Sequence, residues 1–252
     1  MPLYRYVKKV PVLSSGRRTR RLPPKALPVL LVSLGVLFLL NAAYPIVSYQ
    51  LFVSPRFPRS FVSPTAESAI AQSFGGPENQ LSAENGVLGE EIDLLDLTKA
   101  SNWFPQSNVV FDESKASLYT LSIPRLGIKE AWVIVGGEDI KKSLIQFPGT
   151  AVPGRFGNSV IFGHSVLPQF FNPKNYMTIF STLPTLKIRD EIFVDYNQVR
   201  YRYVVEQMIE VSPSDVSILA QRYDDSYLTL ITCVPPGTYL KRLIVRARLA
   251  KT

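Results

Sequence analysis

This chain of 252 residues has a single Cys and a single His, and each ends an apolar run. His164 closes Val160-Ile161-Phe162-Gly163-His164, and Cys233 closes Tyr227-Leu228-Thr229-Leu230-Ile231-Thr232-Cys233. A strand end on a rigid sheet holds a reactive group in fixed geometry. A thiolate there is a nucleophile, and an imidazole near it moves protons at neutral pH. Taken singly, a lone Cys is more often core packing than nucleophile, and a lone His is usually structural or merely exposed. Together, in a domain outside the reducing cytosol, an unpaired thiol points to use, either chemically or in an intermolecular disulfide. One Cys excludes an internal disulfide framework, and one Cys with one His excludes a Cys/His zinc site within a single chain.

The elements that must hold these residues are short and strand-like. Tyr119–Ile123, Ala131–Val135, Ser159–Phe162, Glu191–Val194, Arg200–Val211, Tyr227–Cys233 and Lys241–Leu249 are β-prone runs. Turns punctuate them at Pro148-Gly149, Pro153-Gly154 and Pro236-Gly237. Pro213-Ser214-Asp215 and Tyr176–Leu183 read as short helical turns. The pattern predicts an all-β barrel or sandwich over 117–252, large enough for a single core. The sequence holds no GxxxxGK[ST] loop, no dinucleotide loop and no N-x-[ST] acceptor, and its acids are too dispersed for a calcium loop or a carboxylate pair. No metal and no cofactor is expected, although the need for calcium stays open.

The net charge of +8 suggests nucleic acid until it is located. Eight cations and no acid occupy residues 1–25, and the remaining Lys and Arg are balanced by the acids. No charge then appears between Lys25 and Arg56. A bilayer-spanning helix takes about 20 apolar residues, so 27–48 is expected to be one. The tail 1–26 is then cytoplasmic, because Lys and Arg collect on that side. A cleaved signal is the competing reading, but the apolar run is long and Ala42-Ala43-Tyr44 is a poor cleavage site. Residues 49–116, rich in Ser, Pro, Asn, Glu and Gly, are expected as an extracytoplasmic stalk. Within it, Leu94, Leu95, Leu97, Trp103 and Phe104 have the character of a short helix or flap that docks on the domain. The lipid bilayer is thus an expected partner and nucleic acid is not.

Four segments, in order over about 119–249, carry a resemblance. Thr229-Leu230-Ile231-Thr232-Cys233 resembles a TLxTC box, followed by the basic strand Lys241-Arg242-Leu243-Ile244-Val245. Gly157–His164 is similar to a segment ending in a catalytic His, and Ser122-Ile123-Pro124-Arg125-Leu126-Gly127-Ile128 to the first strand of the same fold. The fourth is Phe180-x-x-Leu183-x-x-Leu186-x-x-x-Asp190-x-Ile192. These residues resemble the sortases, membrane-anchored cysteine transpeptidases of bacterial surfaces.

The resemblance implies an eight-stranded β-barrel with short helices and acyl transfer on LPxTG-like sorting signals. It implies Cys233 as nucleophile, His164 as general acid and base, and Arg242 as oxyanion or substrate stabiliser. Thr229 and Thr232 would support the site by packing and hydrogen bonds, although ordinary β propensity explains them equally. Cys233 and Arg242 share a face only if they oppose each other in an antiparallel pair joined by 234–240, and a slip of one residue separates them. Arg246 and Arg248 share the parity of Arg242 and are its rivals. The implied partners are surface proteins with a C-terminal sorting signal and an amine acceptor, a cell-wall precursor or a pilin lysine. The subclass stays open. The nine-position Cys-to-Arg spacing looks like the class C pilin polymerases, yet 53–116 lacks their Asp-Pro-aromatic lid, and a single N-terminal anchor is more like the housekeeping and class D or E enzymes.

Two other readings remain. A thiol hydrolase would resolve the same thioester with water. A non-catalytic tethered β-domain would keep the barrel without needing all three residues.

Overall fold

The alternating runs close on themselves. The computed structural model describes residues 26–58, 98–103 and 117–251, and eight strands lie in the last of these stretches. They are β1 (Leu118–Ile123), β2 (Ile128–Val135), β3 (Leu144–Gln146), β4 (Gly157–Phe162), β5 (Glu191–Tyr196), β6 (Val199–Val211), β7 (Ser226–Val234) and β8 (Lys241–Leu249). Their order around a closed barrel is β1-β2-β3-β4-β7-β8-β6-β5, with β5 returning to β1. Neighbours are antiparallel except β2–β3 and β4–β7. Closure removes exposed sheet edges. The helical turns expected at Tyr176–Leu183 and Pro213–Asp215 are instead simple turns, and one-turn 3₁₀ segments follow them at Leu183–Thr185 and Ser217–Leu219.

Alternation sorts side chains between two cores. Leu121, Ile161, Val194, Leu228, Leu230 and Leu243 fill the barrel interior. The opposite face of β3, β4, β6, β7 and β8 carries a second buried cluster that includes Phe162, Ile231, Cys233 and Ile244. Strand β7 is therefore buried along its whole length, with cover on both faces.

The chain forms two compact units that divide between Ala43 and Tyr44. In the first, the described residues belong to helix α1, which runs from Ala26 to Ser48. It is rich in Leu and uncharged, and it is exposed on all sides from Pro28 to Tyr44. A helix apolar all round needs an apolar medium, and α1 is long and apolar enough to cross a membrane. The expected cytoplasmic tail lies outside the described residues.

The stretch expected as a stalk is described only in part, at 49–58 and 98–103, and both parts lie against the barrel. Tyr49–Val53 forms a π-helical turn and Ser54–Arg56 a 3₁₀ turn. Tyr49 enters the barrel core, with Val53 and Phe57 packed beside it. Buried Glu210 of β6 fixes this segment. Its Oε1 accepts from Tyr49 Oη at 2.7 Å, and its Oε2 accepts from Ser54 Oγ at 2.7 Å and Lys241 Nζ at 2.9 Å. A buried carboxylate persists only when so partnered. Leu94, Leu95, Leu97 and Phe104 lie outside the described residues.

Candidate active site

Parallel pairing of β4 with β7, ending at Phe162 opposite Ile231, carries the chain after β4 alongside the TLxTC segment. Three hydrogen bonds extend that alignment past the strand. Gly163 N donates to Ile231 O at 3.1 Å, Thr232 Oγ1 donates to Gly163 O at 2.9 Å, and Ser165 Oγ donates to Cys233 O at 2.8 Å. His164 is thus held between two residues tied to the end of β7. Gly163 is required there by space, since a Cβ would fall 2.5 Å from Leu144 Cδ2 and 2.6 Å from Phe180 Cδ2.

The ring of His164 is oriented by Nδ1, 2.9 Å from Met177 O. A carbonyl only accepts, so Nδ1 carries the proton, and Nε2 is the nitrogen left to exchange one. Burial lowers the His164 pKa below the ordinary imidazole value, the Met177 carbonyl opposes this, and nearby Lys141 lowers it further. Cys233 behaves in the opposite sense. Burial raises its thiol pKa above the usual range, and Arg242 offsets only part of that. In this closed arrangement both groups are therefore neutral at pH 7.

Strand β8 settles the register that the sequence left open. Cys233 directly opposes Arg242, and Arg242 Nη1 donates to Cys233 Sγ at 2.8 Å. The two rivals are elsewhere. Arg246 opposes Thr229 and Arg248 opposes Tyr227, some four and six residues along β8, or about 13 and 20 Å at strand rise. Arg248 instead pairs with Glu206 at 3.0 Å. Thr232 reaches the site through its bond to Gly163. Thr229 does not, since its Oγ1 donates to Asn158 Oδ1 at 2.7 Å and ties β7 to β4 lower in the sheet.

Trp103 closes the site from outside. Lys99 bridges to Asp139, Ala100 N donates to Glu138 O at 2.8 Å, and a 3₁₀ turn at Ala100–Trp103 delivers the indole. Its ring stacks on Phe162 at 5.4 Å and lies 4.6 Å from the Arg242 guanidinium carbon. Cys233, Arg242 and Trp103 are only 5%, 3% and 1% exposed. The Nε of Arg242 is buried and finds no hydrogen-bond acceptor among the described residues. Sequence reasoning named Trp103 as a docking residue but not its seat on Arg242. It missed Ser165, whose hydroxyl holds the Cys233 carbonyl, and Met177, whose role lies in its main-chain carbonyl and leaves no signal in residue type. Among the described residues no group of three or more His, Cys, Asp or Glu is placed to hold a metal ion.

Residues 121–250, just over half of the chain, match the sortase domain. The chain belongs to the sortase family. Sortase A of Bacillus anthracis is 26% identical over 167 residues, covering 66% of this chain and 72% of that protein. Among solved structures, the Sortase D5 transpeptidase of Clostridium perfringens is 24% identical, with a TM-score of 0.47, over 56% of this chain and 82% of the other. Sortase A from Corynebacterium diphtheriae is 28% identical, with a TM-score of 0.47, over 54% of this chain and 61% of the other. This sortase is accordingly a cysteine transpeptidase in the general sense of its family.

Proposed function

We propose that Cys233 attacks the Thr–Gly carbonyl of an LPxTG-like sorting signal and that the resulting thioacyl enzyme is resolved by an amine. The observation that carries this reading is the 2.8 Å contact between Arg242 Nη1 and Cys233 Sγ, on the strand end against which His164 is held. Attack forms the Cys233 S–C bond and a tetrahedral oxyanion as the thiol S–H bond breaks and its proton passes to His164 Nε2. Collapse breaks the C–N bond to Gly, and His164 Nε2 gives a proton to the leaving amine. The incoming amine then loses a proton to the same nitrogen. Among the described residues the buried Nε–H of Arg242 has no acceptor, and its guanidinium lies beside the sulfur, which supports a role as donor to the oxyanion. Thr232 supports the site through Gly163, and Thr229 supports the β4–β7 pairing. The amine acceptor is a cell-wall precursor or a pilin lysine. Mass spectrometry of LPxTG-like peptides incubated with candidate amines tests the proposal. A ligated product is expected, and release of only the free acid in saturating amine would make the enzyme a hydrolase.

Trp103 must leave for a peptide to enter, because it covers Arg242 and stacks on Phe162. Iodoacetamide reacts with thiolate, so alkylation of Cys233 should be slow at pH 7 and rise with pH through the raised thiol pKa. Trp103→Ala hydrates the thiol, lowers that pKa and shifts the profile to lower pH. The rate at pH 7 should increase on the order of tenfold, corresponding to about 1–2 kcal/mol of cation–π and stacking contact given up. An unchanged alkylation profile would show that Trp103 does not control access.

We also infer that α1 is an uncleaved anchor with the basic tail inside and the catalytic domain outside. Eight cations precede the span, and only Arg56 and Arg59 follow it closely. Protease added to intact cells should remove 117–252. Protection of that domain would reverse the orientation.

A further inference from the structure

Strand β8 enters the site from an exposed connection. Tyr239 and Leu240, the two residues before it, are exposed, and Thr238 bonds back to Pro235 within the same loop. Arg242 is the second residue of the strand, so the start of β8 decides where the guanidinium stands against Cys233. The far half of the strand does not decide it. A bulge shifts the register of β6 against β8 between Val205 and Gln207, and a bulge uncouples the alignment on its two sides. Arg248 pairs with Glu206, the residue at that bulge, at 3.0 Å. At the site end the corresponding pair is Lys241 Nζ with Glu210 Oε2, at 2.9 Å.

Glu210 is a firm support. It is 3% exposed and also accepts from Tyr49 and Ser54, while its own N donates to Pro58 O at 3.2 Å. All these residues lie in the same compact unit as the barrel. A carboxylate enclosed in this way has little freedom, and the ammonium bonded to it is held in turn. Glu210 opposes Leu243 across β6–β8, and Lys241 opposes Val234 across β7–β8; both partners belong to the barrel interior. The pair therefore works from the inner face, while Arg242 projects from the other face toward Cys233.

We propose that Glu210, through Lys241, is the positioning residue that fixes Arg242 against the Cys233 sulfur. It acts on the strand, one residue from Arg242, and not on the reacting atoms. A misplacement of about 1 Å in a reacting geometry can cost about 10²-fold, so loosening this clamp matters even with every reacting group present. Its effect on turnover rests on the proposed oxyanion role of Arg242, and the test therefore reads the sulfur first.

The test measures iodoacetamide alkylation of Cys233 against pH in the full chain carrying Trp103→Ala, so that access is the same throughout. Burial raises the thiol pKa and the Arg242 charge lowers it, so displacing that charge moves the profile to higher pH. Arg242→Met sets the full shift. Glu210→Gln and Lys241→Met are each expected to give part of it, with nothing added when Arg242→Met is already present. Lys241→Arg should restore the native profile, and Glu206→Gln, at the bulge, should leave it unchanged. A direct field has another signature, because removing an anion lowers a thiol pKa and removing a cation raises it. Opposite shifts in Glu210→Gln and Lys241→Met, or a shift that persists beside Arg242→Met, would overturn the clamp. Native profiles in both variants, or in Arg242→Met itself, would overturn it too. Where Glu210→Gln melts too low to measure, Lys241→Met and Lys241→Arg carry the same comparison. With an LPxTG-like peptide, kcat should fall about tenfold in Glu210→Gln and Lys241→Met at nearly constant KM. Shifted profiles without peptide cleavage by the native chain would overturn the sorting-signal reading and leave the clamp standing.

Discussion

Cys233→Ala is expected to abolish turnover while leaving the barrel intact. Without the sulfur no thioacyl intermediate forms, and no other Cys exists in the chain to replace it. The removed atom belongs to the outer cluster with Ile231 and Ile244, not to the barrel interior, so the melting temperature should move little. His164→Ala should lose nearly as much activity, because an amine leaves poorly without a proton and Nε2 is the only ring nitrogen free to give one. The pairing of measurements matters. A Cys233 that served only as packing would give the opposite outcome, lower stability with cleavage retained.

Arg242 is expected to produce the next largest loss, and its replacements separate charge from geometry. Arg242→Ala should reduce kcat/KM for peptide by about 10²–10³, the usual cost of one oxyanion donor. Arg242→Lys keeps the charge but not the planar fork. It also gives up the guanidinium face on Trp103, which lies 4.6 Å away. The Lys variant should therefore retain a small residual rate, and its Cys233 should be alkylated faster than in the native protein. Arg246→Ala serves as the contrast, four positions along the same strand face and opposite Thr229. If Arg246→Ala lost activity and Arg242→Ala did not, the oxyanion role would belong to the rival.

The strand runs and the two reactive residues were legible because alternation and residue type encode them locally. Strand β3 was not. Its three residues, Leu144–Gln146, are all buried, so no alternation marks them. The opposition of Cys233 to Arg242 depends on how the connection between β7 and β8 turns, and one residue of slip would invert it. Composition alone made 49–58 look like the start of a stalk. The contrary signal was Glu210 itself, an acid inside the apolar run Met208-Ile209-Glu210-Val211 that required buried partners. Trp103 was visible as an apolar exception, but its place on Arg242 joins residues distant in sequence through an aromatic face, which no local pattern records.

Intact-mass analysis of the protein during turnover addresses the nucleophile most directly. The full chain is mixed with an LPxTG-like peptide, quenched in acid before amine is added, and digested to locate any adduct. The account predicts a mass increase equal to the acyl portion ending in Thr, carried by the peptide containing Cys233. It predicts that this adduct disappears when amine is added, as ligated product accumulates, and that it never forms in Cys233→Ala. Cleavage of the peptide by Cys233→Ala at the native rate, or an adduct on any other residue, would contradict it.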